Sequence, residues 1–166
     1  MKKYGVNGLS ASGTASKSAF NVIGSSAIRP LVSEITFGVR TNPNATDQQV
    51  EFAVGNTTAA GTAGSTPTPK PLDPQDVAAV STAGITHSAE PTYGSTYFLD
   101  SDMNQRGLFR WWAEAPGYEF AGAATSSNGV GGKLIAVTAA AAPAPQAPPS
   151  SQPSGATTAP PAATDL

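Results

Sequence analysis

His87 is the chain's single histidine, in "GITHSAEPTY" three residues before Glu90, and any acid–base chemistry would have to start from this pair. A carboxylate that orients an imidazole makes a general base, and the base then needs a nucleophile within hydrogen-bond reach. Ser81, Ser88 and Ser95 are the nominal candidates, yet none sits in the sharp, glycine-flanked turn that presents a nucleophile. The pattern favours a structural histidine, so no enzymatic activity and no catalytic residue is expected. One His and no Cys cannot assemble a zinc site. Asp47, Asp73, Asp76, Asp100 and Asp102 offer oxygen ligands for calcium, but they lack EF-hand spacing and read equally well as turn and capping residues. "SSNGVGGKL" carries Gly132–Lys133 like a phosphate-binding loop, with Ser127 in place of the first glycine and Leu134 in place of the magnesium-binding hydroxyl. It reads as a flexible turn between the last two strands, and no cofactor is expected.

That leaves the aromatic residues. "GLFRWWAEAPGYEF", residues 107–120, holds both tryptophans side by side. In a strand, successive side chains point to opposite faces. Phe109, Trp111 and Ala113 then share the natural core face, and Leu108, Arg110, Trp112 and Glu114 share the other. An aromatic and an Arg with polar neighbours is the mix typical of a contact surface. Burying an indole removes about 150–250 Å² from water, roughly 4–6 kcal/mol as an upper bound, enough for an interface anchor. Three readings of Trp112 stay open: cover by the protein's own loop, a subunit or partner interface, and a sugar-stacking platform helped by Tyr93, Tyr97 or Tyr118.

The elements that must position these residues are short strands. "LVSEITFGV" alternates Leu31, Ser33, Ile35, Phe37 and Val39 against Val32, Glu34, Thr36 and Gly38, and "QVEFAVG" puts Val50, Phe52 and Val54 on one face. "KYGVNG", "SAFNVIG", "STYFLD", "GLFRWWAE", "YEFAGAA" and "KLIAVTA" are further candidates, separated by turn-rich pieces such as "TNPNATD" and "EAPGYE". Some eight short strands predict an all-β fold, a jelly-roll-like antiparallel β-sandwich over residues 1–139. One short helix is predicted in "DPQDVAAVSTAG", with Asp73 as cap and Pro74 at the first helical position. Residues 55–75 read as a long loop, and its "PTPKPLDP" prefers an extended chain that is cheap to order on a neighbour. Pro67, Pro69, Pro71 and Leu72 therefore join Trp112, Arg110 and Leu108 as expected partner-interface residues. Residues 140–166, Pro/Ala-rich with Asp165 as their one charge, form an extended tail by composition.

Charge excludes further classes. Only 12% of residues are charged, against a typical value of about 25%, and the net charge is −2 with scattered Lys and Arg. Such a surface gives no footprint for a nucleic-acid backbone. No apolar run is long enough to span a membrane, and the two N-terminal lysines precede no signal-type apolar segment. A cytoplasmic chain without disulfides is expected, in which the sequons at Asn44 and Asn56 carry no meaning.

The succession "RPLVSEITFG", "PTPKPLDP", "THSAEPTY", "NQRGLFRWWAEAPGYE" and "NGVGG", over about residues 28–132, resembles small virion proteins of tailed bacteriophages. In size and all-β character the chain is similar to their jelly-roll capsid cement or decoration proteins. The resemblance implies a non-enzymatic component that bridges major capsid proteins on the assembled head, often as a homotrimer, made in the host cytoplasm and carried in the virion. A lectin-like module, or a fibre or tail adhesin, is the alternative.

Overall fold

The computed structural model describes residues 2–9, 16–39 and 49–135. The boundary near residue 140 and the Pro/Ala tail lie outside the described residues, as does Asp47. Eleven strands follow in order: β1 (Tyr4–Gly5), β2 (Lys17–Ile23), β3 (Leu31–Val32), β4 (Glu34–Gly38), β5 (Gln49–Ala59), β6 (Lys70–Pro71), β7 (Thr82–Gly84), β8 (Thr92–Asn104), β9 (Leu108–Trp112), β10 (Phe120–Ala121) and β11 (Gly129–Ile135). All the pairings are antiparallel. A five-stranded sheet runs β7-β2-β11-β5-β8, and β4–β9 and β3–β10 form a narrow second layer. The chain passes between the layers on the way from β2 to β3, β4 to β5, β8 to β9 and β10 to β11. The protein is thus the all-β, jelly-roll-like sandwich that its sequence predicts, with a ribbon as its second layer.

The sheet is centred on a strand whose first four residues include three glycines. "GVGGKLI" was expected to begin as a turn, but Gly129–Gly132 are fully in β11, buried between β2 and β5. The turn reading fails because glycine here serves close approach. A Cβ on Gly132 would collide with the Phe20 ring and lie 2.8 Å from Phe52 Cζ, and one on Gly131 would lie 2.9 Å from the Tyr93 hydroxyl. Large rings can therefore cross the middle of the sheet on both sides. Phe52, fully buried, has Phe37 stacked at 4.9 Å, Phe109 at 5.6 Å and Phe20 at 6.5 Å. Val54, Val130, Ala19 and Ile35 complete this core, each large apolar side chain contributing about 1.5–3 kcal/mol on burial.

Three local expectations are corrected. The alternation in "LVSEITFGV" breaks at Ser33, between β3 and β4. Ile35 and Phe37 face the core as predicted, but Val32 packs inward while Leu31 and Val39 stay exposed. No helix forms among the described residues. Asp73 does cap a turn, its Oδ1 accepting from Gln75 N at 3.0 Å, but Leu72, Val77 and Val80 are all exposed. A short helix without an apolar face to bury does not repay its nucleation. The long loop is also shorter than expected, because β5 continues to Ala59 and later residues bridge to 85–89 through Thr62↔Ala89 and Ser65↔Ile85.

Replacing Gly132 with Ala is expected to cost about 1–3 kcal/mol through overpacking against the two Phe rings. Gly94→Ala, where a Cβ meets only Asn56 O at 3.7 Å, serves as the control and should shift stability far less. Urea denaturation of both variants checks the difference.

Candidate functional site

Two places hold functional residue types, one on each side of the five-stranded sheet. The first lies under the segment between β5 and β8 and is polar. Ser18, Asn21, Thr57 and His87 are all buried there. Thr57 Oγ1 donates to Asn21 Oδ1 at 3.1 Å, and Asn21 Nδ2 donates to Ala60 O at 3.2 Å. The Tyr93 hydroxyl donates to Ser18 Oγ at 3.0 Å, and Lys133 Nζ stands 5.7 Å from the centre of the Tyr93 ring. Glu90 accepts from Ser18 N through Oε2 at 2.7 Å and pairs with Lys17 Nζ through Oε1 at 3.1 Å.

Serine, histidine and glutamate do come together here, but the serine is Ser18, which sequence reasoning missed, and not Ser81, Ser88 or Ser95. The wiring is also not that of a triad. Glu90 is committed to Ser18 N and Lys17, and Ser18 Oγ accepts from Tyr93. Ser18 is 1% exposed, out of a substrate's reach. The network fastens the 60–91 segment onto the sheet, since buried polar groups hold only while paired. Thr86, beside His87, takes the left-handed backbone at φ 50°, an uncommon strain for a β-branched residue. Bridges on either side of it hold that geometry.

The pKa shifts follow from burial. Desolvation pushes His87 below the ordinary histidine value, only partly offset by the Glu90 charge and a hydrogen bond to the Ser18 backbone. Burial alone would raise the Glu90 carboxyl, but the bonds from Ser18 and Lys17 outweigh it and hold it low. Burial raises the Tyr93 phenol. Among the described residues no group of three or more His, Cys, Asp or Glu side chains could hold a metal ion. Asp76 pairs with Lys2 at 3.5 Å, and among the described residues no helix is long and apolar enough to cross a membrane.

The second place is the outer layer. In the β4–β9 ribbon Ile35 pairs with Trp111 and Phe37 with Phe109, and these four side chains turn to the core. Glu34 pairs with Trp112, Thr36 with Arg110 and Gly38 with Leu108, and these face outward. Trp112 is 56% exposed and Leu108 72%. Arg110 Nε donates to Glu34 Oε1 at 2.9 Å, and its guanidinium carbon stands 5.7 Å from the centre of the Trp112 ring. Both contacts are exposed and worth under about 1 kcal/mol each, so they orient the arginine more than they stabilise the fold.

Beyond β9 the chain leaves the ribbon for one turn. Gly117, at φ 95°, makes that turn possible, Tyr118 N donates to Ala115 O at 3.2 Å, and Tyr118 is left 71% exposed. The chain rejoins at β10, where Phe120 stacks on Trp111 at 3.9 Å and on Phe98 at 5.2 Å. Between the ribbon and the turn lies an open cleft of about 440 Å³, lined by Arg110, both tryptophans, Glu114, Tyr118 and Phe120.

The proline segment is placed differently from expectation. Pro69 is buried and Pro67 and Pro71 are half-buried, because β6 pairs with β1, Tyr4 opposite Pro71. These backbones and rings are already used within the chain. Leu72 alone of the four stands out, 67% exposed, on the β1–β6 ribbon and apart from the ribbon that carries Trp112. Of the seven expected interface residues, the structure gathers Leu108, Arg110 and Trp112 on one face. Tyr118 and Glu114, which complete the cleft, come from the turn after it. No family model matches the chain, and no curated protein or solved structure is detectably similar to it.

Two outcomes are expected. His87 is harder to protonate folded than unfolded, so its contribution is present above about pH 6.5 and lost as pH falls. Stability should decline as pH falls below about 6.5, by at most about 1.4 kcal/mol per unit, and His87→Gln should flatten that slope in pH-dependent denaturation. The two tryptophans should also separate. Trp111→Ala should cost about 3 kcal/mol or more, and Trp112→Ala less than about 1 kcal/mol, in the same measurement.

Proposed function

We propose that this protein works by contact: a non-enzymatic cement or decoration protein that binds an assembled phage head and bridges neighbouring major capsid proteins. The observation that carries the reading is the outward face of the β4–β9 ribbon. Trp112, Leu108 and Arg110 are held solvent-exposed by a ribbon whose other face is locked into the core. A rigid ribbon presents large side chains without a further ordering cost on binding, which is the condition for a strong anchor. The virion setting comes from the sequence resemblance, and with it the homotrimer, the capsid partner and assembly in the host cytoplasm. The mechanism is mass action, since a ligand that binds only the assembled lattice stabilises it.

The cleft supports a second reading, carbohydrate binding in a lectin or adhesin. Trp112 and Tyr118 offer stacking faces, with Glu114 and Arg110 beside them as hydrogen-bond partners.

Capsids lacking the protein are mixed with wild type or Trp112→Ala, sedimented and heated. Wild type should co-sediment and raise the temperature of DNA release. Loss of the Trp112 anchor should weaken binding by about 30-fold, the equivalent of about 2 kcal/mol. No binding by wild type sinks the cement reading. Glycan-array binding by wild type that Trp112→Ala abolishes would select the second.

A further inference from the structure

We infer that the protein pairs with a second copy of itself through the free edge of β9, so that two β4–β9 ribbons join into one layer. The inference does not rest on the contact reading, and it sets a two-fold in place of the three-fold order that the resemblance implies. An unpaired strand edge is a row of open donors and acceptors, and proteins ordinarily blunt it with shortness, bulges or charge. The other edges of the two layers are blunted in these ways. β7 is three residues long. β8 shifts register against β5 at three places and carries exposed Asp100 and Asp102. β4 presents Glu34 and Thr36, both exposed and polar. The β9 edge lacks such protection. Its register with β4 is unbroken, Leu108 and Trp112 stand open along it, and its one charge, Arg110, is drawn back onto its own ribbon by Glu34.

The hydrogen-bond alternation of the ribbon shows which backbone groups are open. Ala113 N donates to Ser33 O at 2.8 Å, so Ile35–Trp111 and Phe37–Phe109 are the bonded pairs, and the residues between them are not bonded across the ribbon. The N–H and C=O of Arg110 and Trp112 therefore point out of the free edge, and among the described residues they have no backbone partner. The edge is also complementary to itself. An antiparallel two-fold centred on Trp111 sets each Arg110 opposite Trp112 of the other copy, and each of these two pairs can exchange both backbone bonds. Each guanidinium, already 5.7 Å from the centre of its own Trp112 ring, then gains the indole of the other copy. A two-fold centred on Arg110 would instead set like charges directly opposite, which is unfavourable. Isologous pairing of this kind closes at two copies and leaves both Trp112 rings on the outward face of the joined layer. A contact this short lies below the size of a standard interface, so micromolar self-association is expected.

The test uses the full chain, with sedimentation equilibrium from micromolar to millimolar concentration and backbone amide exchange followed by NMR over the same range. Wild type should pass from monomer to dimer. The Arg110 and Trp112 amides should exchange slowly in the dimer and fast on dilution, while those of Phe109 and Trp111, bonded within the ribbon, stay slow throughout. Arg110→Pro removes a donor that only the second copy uses, and should leave a folded monomer, since proline is tolerated on an edge strand where its missing N–H faces outward. If that variant loses its spectral dispersion, Arg110→Glu decides instead: it places a carboxylate beside Glu34 and removes both Arg–Trp pairs, and should weaken self-association by about tenfold. A monomer at every concentration, a trimer, fast Arg110 and Trp112 amides at high concentration, or a folded Arg110 variant that dimerises like wild type overturns the inference. Failure here is separable from failure of the contact reading, because the outward Trp112 face is open in monomer and dimer alike, and its capsid binding is measured by co-sedimentation.

Discussion

Every other packing choice in this protein depends on how closely two layers can approach β11. Three glycines within four residues, in the middle of a five-stranded sheet, leave bare backbone where rings can lie. Gly132 lets Phe20 and Phe52 close over the sheet on one side, and Gly131 admits the Tyr93 hydroxyl on the other. Glycine in a strand is ordinarily a weakness, for entropy and for lack of a side chain to pack. The loss is offset here because Phe52 reaches three other rings from a fully buried position.

The two faces of that sheet then diverge in chemistry. The apolar face takes the β4–β9 ribbon, whose inward Phe37, Phe109 and Trp111 extend the ring cluster. The polar face is closed by a segment with little apolar content, and so it is held by hydrogen bonds among Asn21, Thr57, Ser18, Tyr93 and Glu90. The first kind of closure is non-directional and tolerant. The second is directional and depends on the protonation of its members, buried His87 and half-buried Glu90 among them.

The exposed aromatic face follows from the ribbon's thinness. A two-stranded layer has one face for the core and one for solvent, so the alternation that buries Trp111 necessarily displays Trp112. Fixing one ring fixes the other. The exposed indole is therefore held by the same core that stabilises the fold, and the turn at Gly117 adds Tyr118 to it across a cleft. Contact through such a face requires no chemistry beyond desolvation of aromatic surface and pairing of one arginine.

Period-two alternation and abundant turn residues were enough to read the fold class from the sequence, because both are local consequences of strand geometry. That Trp111 turns inward and Trp112 outward was legible for the same reason. Where the pattern was interrupted, local reading failed: Ser33 resets the alternation so that Val32 packs in and Leu31 out, and only the pairing of β3 with β10 decides that. The glycines of β11 look like a turn until the rings that need their space are known, and the helix expected after Asp73 lacked a surface to bury against. Ser18, far from His87 and Glu90 in sequence, joins them only because antiparallel pairing and the return of the 60–91 segment close a loop of some seventy residues. Pro69 was extended as its neighbours dictate, but β1 took up the segment first. Local sequence determined which residues alternate and where the chain turns. Tertiary structure decided which face each alternation meets, since burial depends on neighbours that are distant along the chain.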